Sequence, residues 1–332
     1  MAEYKGVLVY LEASGGKLTI MDTELLGAGR LLARELGQGM SAVLIGATVS
    51  SLAQEAIAYG ADRVYIVEDS LQQIYLTDSY PRAMEKVITQ AMPQVILMGQ
   101  THTGRDLAPR LAFKLNTTAT LDCTALSVNT ESKRVLMTKP IYGGNAQVIQ
   151  VCESDPQIAT VRRKAISPLI RDSDRKGEII NVAVEIDPAS VKTRILERKV
   201  EATAGIKLED ARVVVTGGRG IGGPEGFKQL DELARICKGA VGASRPACDN
   251  KWVSGSLQVG LTGKIVSPEL YIAIALSGSS QHLSGCSAAK VIVAINKDSE
   301  ANIINVANYG VVGDWKKILP SFTNELKELL SV

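Results

Sequence analysis

Between Val213 and Asp314 the chain repeats one arrangement five times: a short run able to form a buried strand, broken by small or hydroxylated residues. The breaks are TGGRGIGG (216–223), GASRPACD (242–249), QVGLTGK (258–264), LSGSSQHLSG (276–285) and INKDSE (295–300). Gly and Ser at strand ends let a phosphate-bearing ligand approach backbone N–H groups, and a following helix N-terminus favours its negative charge. A small metabolite rarely needs so many such turns. A long nucleotide lying across several strand ends does, so this half reads as a dinucleotide site.

A length of 332 residues suits two domains, each large enough to bury its own core. No apolar run reaches the roughly 18 residues of a membrane helix, so membrane insertion is not expected. The net charge of +2 comes from well-mixed acids and bases, which argues against a nucleic-acid surface. Scarce aromatic residues speak against a stacking platform for single strands. Residues 1–5 lead straight into an apolar run, without the pattern of a signal or transit peptide. The five cysteines (Cys123, Cys152, Cys237, Cys248, Cys286) stand far apart and form no C-x-x-C pair. That spacing supports no zinc site, iron–sulfur cluster or disulfide framework, and suits a reducing cytoplasm. With only His102 and His282, histidine-based metal sites are nearly excluded.

The N-terminal half alternates strand and helix. Gly6–Leu11, Ala42–Gly46, Arg63–Val67 and Gln94–Gly99 are short aliphatic runs ending near Gly or an acid. Leu25, Ala28, Leu32 and Leu36 share one helical face, and Gly37 supplies a stop. A second helix over Pro81–Met92 opens on Pro, which a first turn tolerates. Such alternation predicts parallel strands with crossover helices. From Leu121 to Arg163 the runs Val135–Lys139, Ala146–Val151 and Ala159–Arg162, separated by Gly-Gly-Asn and Asp-Pro, predict an antiparallel extension. Arg171–Glu178 reads as an exposed loop and Val182–Ile186 as a strand. The domain boundary is expected within Arg194–Lys207, where Arg194, Glu197, Arg198, Lys199 and Glu201 precede Gly205. Beyond it Arg212–Thr216 opens a second unit, whose first helix buries Phe227, Leu230, Ala234 and Cys237. The expected fold is therefore α/β in two domains, 1–196 and 207–332, each a mostly parallel sheet flanked by helices, the second Rossmann-like.

Gly218-Arg219-Gly220-Ile221-Gly222-Gly223 fits G-x-G-x-x-G between a predicted strand and helix, which alone suggests NAD or NADP. The ribose-binding acid expected some 20 residues on is missing. Gly242-Ala243-Ser244-Arg245 stands there, and Arg245 would suit the 2′-phosphate of NADP. An NADP-dependent dehydrogenase stays open on these residues but leaves the later polar turns unexplained. Glycines serving only tight turns also stay open, though Arg219 and Arg245 have no packing role in such turns.

GGRGIGG, GASRPACDNKWV, QVGLTGKIVSPELYIAIALSGSSQHLSG and VIVAINKDSEANIINVANYGVVGDW resemble the FAD-binding signature of the electron transfer flavoprotein α subunit. GQTHTGRDLAPRLAFKL (99–115), LDCT (121–124), KPIYGGNA (139–146) and PQIATVR (156–162) extend the resemblance over essentially the whole chain. It implies a second domain that holds extended FAD, and an obligate heterodimer with a β subunit. It also implies electron transfer between flavoprotein dehydrogenases of the acyl-CoA dehydrogenase type and an acceptor. The alternative within the family is an electron-bifurcating complex coupling NADH oxidation to ferredoxin and enoyl-CoA reduction.

The resemblance carries the FAD site onto Arg219, Ser244, Arg245, Gln258, Val259, Gly260, Leu261, Thr262, Ser277, Gly278, Ser279, Ser280, Gln281, His282, Asn296, Asp314 and Trp315. Ser277 to Ser280 would hold the pyrophosphate. Asn296 and Asp314 would meet adenosine or ribityl hydroxyls, with an N-cap as the competing role for Asp314. His282 would sit near flavin O2, Thr262 near N5 or O4, and Arg245 with Ser244 beside the ring. Cys286 reads as a core residue rather than a redox thiol. His102 and Gly104-Arg105-Asp106 read as capping and subunit packing, since the family's other nucleotide belongs to the β subunit. Leu261 stands where Gln is common, Ser279-Ser280 replace Ala-Ile, and Asn308 replaces Asp, which predicts altered potential rather than lost binding.

A hydrogen bond to a charged group is worth about 1.5–3 kcal/mol, which is about 60–130 mV for a one-electron couple. His282→Ala or Arg245→Ala is expected to lower the potential for the first electron on this scale. Redox titration of the FAD-loaded pair checks it, and unchanged potentials in both variants reject the electrostatic assignment.

Overall fold

In the computed structural model, residues 3–144, 146–197 and 205–330 are described. Contacts divide the chain into two compact units, Met1–Pro140 with Gln147–Arg198, and Ile141–Ala146 with Lys199–Val332. Of the predicted boundary, residues 198–204, including Arg198, Lys199 and Glu201, lie outside the described residues. Among the described residues no helix is long and apolar enough to cross a membrane, and no cluster of metal-ligating side chains occurs.

The first unit holds strands β1 (Val7–Leu11), β2 (Met40–Gly46), β3 (Arg63–Glu68), β4 (Val95–Gly99), β5 (Ala119–Cys123), β6 (Ala125–Val128), β7 (Val135–Ile141), β8 (Ala146–Gln150), β9 (Gln157–Val161) and β10 (Glu178–Asn181). Its helices are α1 (Ile20–Leu36), α2 (Ala53–Ala58), α3 (Tyr80–Ala91) and α4 (His102–Lys114). Seven strands form a parallel sheet in the order β10-β3-β2-β1-β4-β9-β5. Both faces are covered, so central strands are apolar throughout rather than alternating. Val7, Val9 and Leu11 of β1 enter one core, and Leu8 and Tyr10 enter the other.

Local chemistry sets the helix limits. Thr19 and Asp22 form a reciprocal capping box at the start of α1, and Gly37 ends it in the left-handed region at φ 68°. Leu25, Ala28 and Leu32 are fully buried along the predicted face.

Two expectations need correction. Only β6, β7 and β8 form a separate sheet, with β6 and β7 antiparallel. The run at 159–162 belongs instead mostly to β9, inserted in parallel between β4 and β5. Every residue of β9 is buried, as a central strand requires. The last strand is Glu178–Asn181, not Val182–Ile186. Its register on β3 runs from Glu178 opposite Arg63 to Asn181 opposite Ile66, and the Val182 N–H to the Ile66 carbonyl is a bond beyond it. The loop before it is pinned: Arg171 pairs with Glu55 at 2.8 Å and Arg175 with Asp62 at 2.6 Å.

The second unit is a five-stranded parallel sheet of β11 (Val213–Gly217), β12 (Ala240–Ala243), β13 (Leu270–Ile274), β14 (Val291–Asn296) and β15 (Tyr309–Val312). Their order is β12-β11-β13-β14-β15. Helices α5 (Pro224–Ile236), α6 (Arg245–Asp249), α7 (Ser280–Leu283), α8 (Asn302–Val306) and α9 (Trp315–Leu330) connect and follow them. Phe227, Leu230 and Leu233 of α5 pack with Leu319 of α9 in one core, and Leu283 of α7 with Ile303 of α8 in the other. Cys237 caps α5 rather than lying inside it.

In such a sheet a ligand cleft opens where strand order reverses, beyond the carboxyl ends of the strands. In the first unit that place, after β1 and β4, is filled by the chain itself. The Asp22 carboxylate accepts the N–H groups of Glu12 (2.8 Å), Ala13 (3.3 Å) and Thr19 (2.7 Å) and the Thr19 hydroxyl (2.8 Å). Thr101 caps α4 by accepting from the Gly104 N–H, and donates to Glu12. The cluster at His102–Asp106 thus serves capping, and Asp106 accepts from Tyr75, Thr77 and Arg110.

Burial pushes the Glu12 carboxyl up to about 7, the Thr101 hydroxyl opposing and the Asp22 charge adding. A carboxyl that binds its proton more tightly folded than unfolded stabilises fully below its ordinary value of 4.5. That contribution falls away as pH rises from there to about 7. Glu12→Gln is expected to flatten the decline in stability over that window. Urea midpoints measured across it would show the same slope as the parent if Glu12 were not responsible.

Candidate functional site

The reversal of strand order in the second unit falls between β11 and β13. The chain leaves β11 for α5 on one face and leaves β13 for α7 on the other, so the two turns part beyond the sheet. A cleft of about 590 Å³ lies there. Its walls come from four strand ends: Gly218–Gly220 after β11, Ser244–Pro246 after β12, Ala275–Ser279 after β13 and Asn296–Asp298 at β14. The loop Gln258–Thr262 and residues Gln281 and His282 of α7 close it.

The glycine turn earns its sequence by close packing. A Cβ on Gly218 would stand 2.1 Å from the Ala275 carbonyl. The Gly218 N–H donates to Ile274 and the Gly220 N–H to Ala275, so these donors are spent on the neighbouring turn, not on a phosphate. Ala275 itself is held at φ 51°, an uncommon value for a residue with a Cβ. Trp315 braces the turn from behind: it is buried in the core and its Nε1 donates to the Gly220 carbonyl at 3.2 Å.

The loop Gln258–Thr262 is docked by its backbone. The Val259 N–H donates to Ala243, and the Leu261 N–H donates to Gln281. Gln258 Nε2 donates to the Thr262 hydroxyl at 2.9 Å. The turn after β13 is tied to α8, where Asn302 Nδ2 donates to the Gly278 carbonyl at 3.0 Å. Gly278 is left-handed at φ 74°, with Ile303 N 2.3 Å from where a Cβ would be.

Fourteen of the sequence-predicted residues line this cleft together: Arg219, Ser244, Arg245, Gln258, Val259, Gly260, Leu261, Thr262, Ser277, Gly278, Ser279, Gln281, His282 and Asn296. Ser280, Asp314 and Trp315 do not. Ser280 opens α7 and its carbonyl accepts from the Ser284 hydroxyl. Asp314 caps α9 by accepting from the Lys316 N–H at 3.0 Å, the competing role weighed for it. Asn296 lines the cleft, but its amide already works within the protein. Nδ2 donates to Leu276 at 2.6 Å and Oδ1 accepts from the Asp298 N–H. Lys297 and Asp298 also line the cleft and were not predicted, although INKD in the sequence marks the place. Asn308 accepts from the Ile292 N–H, a structural role for this departure.

Two buried polar atoms on the cleft have no partner in the chain: Ser244 Oγ and His282 Nδ1. Burial lowers the His282 imidazole to about 4, the Val259 carbonyl opposing, so the ring is neutral at pH 7. His282 therefore offers a neutral donor or acceptor to a ligand. Cys286, one turn on, is fully buried, and burial pushes its thiol up to about 12, a core residue as expected. Arg245 is exposed and lies 3.5 Å from Asp249. Arg219, Arg245 and Lys297 against Asp298 make the rim cationic. An elongated anionic ligand with acceptor groups fits this arrangement, and FAD has both properties.

Residues 7–187 match the family model described as electron transfer flavoprotein domain, and residues 207–287 that described as electron transfer flavoprotein FAD-binding domain. The chain is 43% identical over 330 residues to the electron transfer flavoprotein subunit alpha of Thermoanaerobacterium thermosaccharolyticum, covering 99% of this chain and 100% of that one. The same subunit of Megasphaera elsdenii is 42% identical over 331 residues, covering 99% and 98%. Protein FixB of Clostridium saccharobutylicum is 38% identical over 332 residues, covering 100% and 99%.

Ser244→Ala removes an unpaired buried hydroxyl, so the FAD-free protein is expected to keep its stability. FAD affinity should fall about fivefold, the equivalent of about 1 kcal/mol for one neutral hydrogen bond. Urea midpoints and FAD titration of the apoprotein measure the two effects. Lost stability with unchanged affinity would contradict the assignment.

Proposed function

The chain belongs to the electron transfer flavoprotein family as an α subunit that binds FAD and works with a β subunit, and on that premise we propose how it holds the cofactor and which proteins it serves. The observation that carries the reading is the cleft between β11 and β13, where Ser244 Oγ and His282 Nδ1 are buried without partners inside a cationic rim. Residues 207–332, with Ile141–Ala146 grouped with them, form the FAD-binding domain, and the rest of 1–196 the domain that meets the β subunit.

FAD supplies a redox centre that accepts and releases electrons singly. The chain's own residues determine what surrounds it. Ser277, Gly278 and Ser279 hold the pyrophosphate with Arg219 supplying charge. Ser244 and His282 hydrogen-bond polar atoms of the ring system, and Arg245 places its guanidinium nearby. Added negative charge on the cofactor is stabilised by donors already fixed in place, which costs little reorganisation. Arg245 is exposed, so solvent weakens its share, and His282 carries the larger effect.

The electrons pass from an acyl-CoA dehydrogenase or similar flavoprotein to an acceptor. All five thiols are free, which suits a reducing, cytoplasmic setting. The purified α–β pair should be yellow, carry one FAD, and bleach on addition of an acyl-CoA dehydrogenase with its substrate. A pair that carries two FAD, ignores the dehydrogenase and is reduced by NADH would instead be the bifurcating form.

A further inference from the structure

Below the cleft, Tyr271 of β13 is completely buried in the middle of the sheet, where its register sets it between Val214 and Ile292. Its hydroxyl lies 2.8 Å from His282 Nε2, and the rings stand 6.2 Å apart at 53°. The other ring nitrogen, Nδ1, is buried and makes no well-formed hydrogen bond within the chain, although the Val259 carbonyl lies against the ring, and His282 lines the cleft. We propose that Tyr271 is a positioning residue for the FAD site: its hydroxyl donates to His282 Nε2 and thereby fixes the ring proton on Nδ1, the atom left for the cofactor. The proposal rests on the FAD reading above and adds the direction of each hydrogen bond.

The alternative arrangement places the proton on Nε2, with Tyr271 accepting it. Nδ1 would then present a bare lone pair to a cofactor whose ring edge is mostly acceptors: two carbonyl oxygens and unprotonated nitrogens against a single N–H. The Tyr271 proton would then have to go to the Thr216 hydroxyl or the Cys286 sulfur, both of which lie against the phenol and are weaker acceptors than an imidazole nitrogen. A buried donor or acceptor left unpaired carries its full desolvation cost. With Tyr271 donating, Nε2 accepts, the Tyr271 oxygen can accept from Thr216, and Nδ1–H faces acceptors in the Val259 carbonyl and the cofactor. Burial also keeps both partners neutral at pH 7, the phenol well above its ordinary value and the imidazole at about 4. The ring therefore has a single proton to place. The backbone holds it steady, since the His282 N–H donates to the Ser279 carbonyl.

Nitrogen-15 NMR of the FAD-loaded α–β pair, labelled on histidine, reads the tautomer directly. This chain contributes only His102 and His282, and a His282→Gln sample assigns the signal. A protonated Nδ1 with a pyridine-type Nε2 is the expected result. In Tyr271→Phe the Nε2–H form should gain at least tenfold in population. The equilibrium for the first electron should fall up to tenfold, or 59 mV for a one-electron couple. A proton on Nε2 in the parent protein, or a tautomer unmoved by Tyr271→Phe, overturns the proposal. If the variant does not accumulate, the parent spectrum alone decides. Flavin absorbance is read on the same sample: a colourless protein removes the FAD premise, whereas a yellow one with Nε2–H removes only the role of Tyr271.

Discussion

The parting of the chain at the ends of β11 and β13 is the constraint on which the site depends. Parallel strands have to be joined by crossovers, and here the crossovers that leave β11 and β13 lie on opposite faces of one sheet. The gap that results cannot be closed by the connections themselves. What the sequence supplies is its lining. Glycine at 218 lets the two turns touch at their base, and the loop Gln258–Thr262 roofs the far side through bonds to Ala243 and Gln281.

The same constraint acts on the first sheet with the opposite outcome. There the reversal lies between β1 and β4, and Asp22 reaches back to take the backbone donors that an anion would use. A carboxylate built into the chain has no entropy of association to overcome, so the position is permanently filled. Two sheets of related design thus differ in ligand because one carries its own anion.

How much of this was legible beforehand depended on the range of the forces involved. Capping and periodicity are local, and Thr19, Gly37 and the face of Leu25, Ala28 and Leu32 lie where the sequence places them. Strand order is not local. Nothing in the run at 157–161 separates a central parallel strand from an antiparallel edge, because that depends on what covers each face. The cleft residues were legible through motifs, but their roles were less so. Asp314 and Trp315 stand beside the cleft in sequence and serve a helix end and a turn in space. Tyr271 carries no functional signal in the sequence, where LYIAI reads as an ordinary buried strand, and its hydroxyl becomes meaningful only beside His282.

The short excursion Ile141–Ala146, at the tip between β7 and β8, belongs to the second unit although its flanking strands belong to the first. Cβ atoms on Gly143 and Gly144 would press on Ser280 and Ser287, at and just beyond the helix that carries His282. The cofactor-bearing half is therefore discontinuous along the chain. A fragment starting at Lys207 would lack the segment that backs this helix, so excising that half for crystallisation or redesign means carrying residues 141–146 along with it.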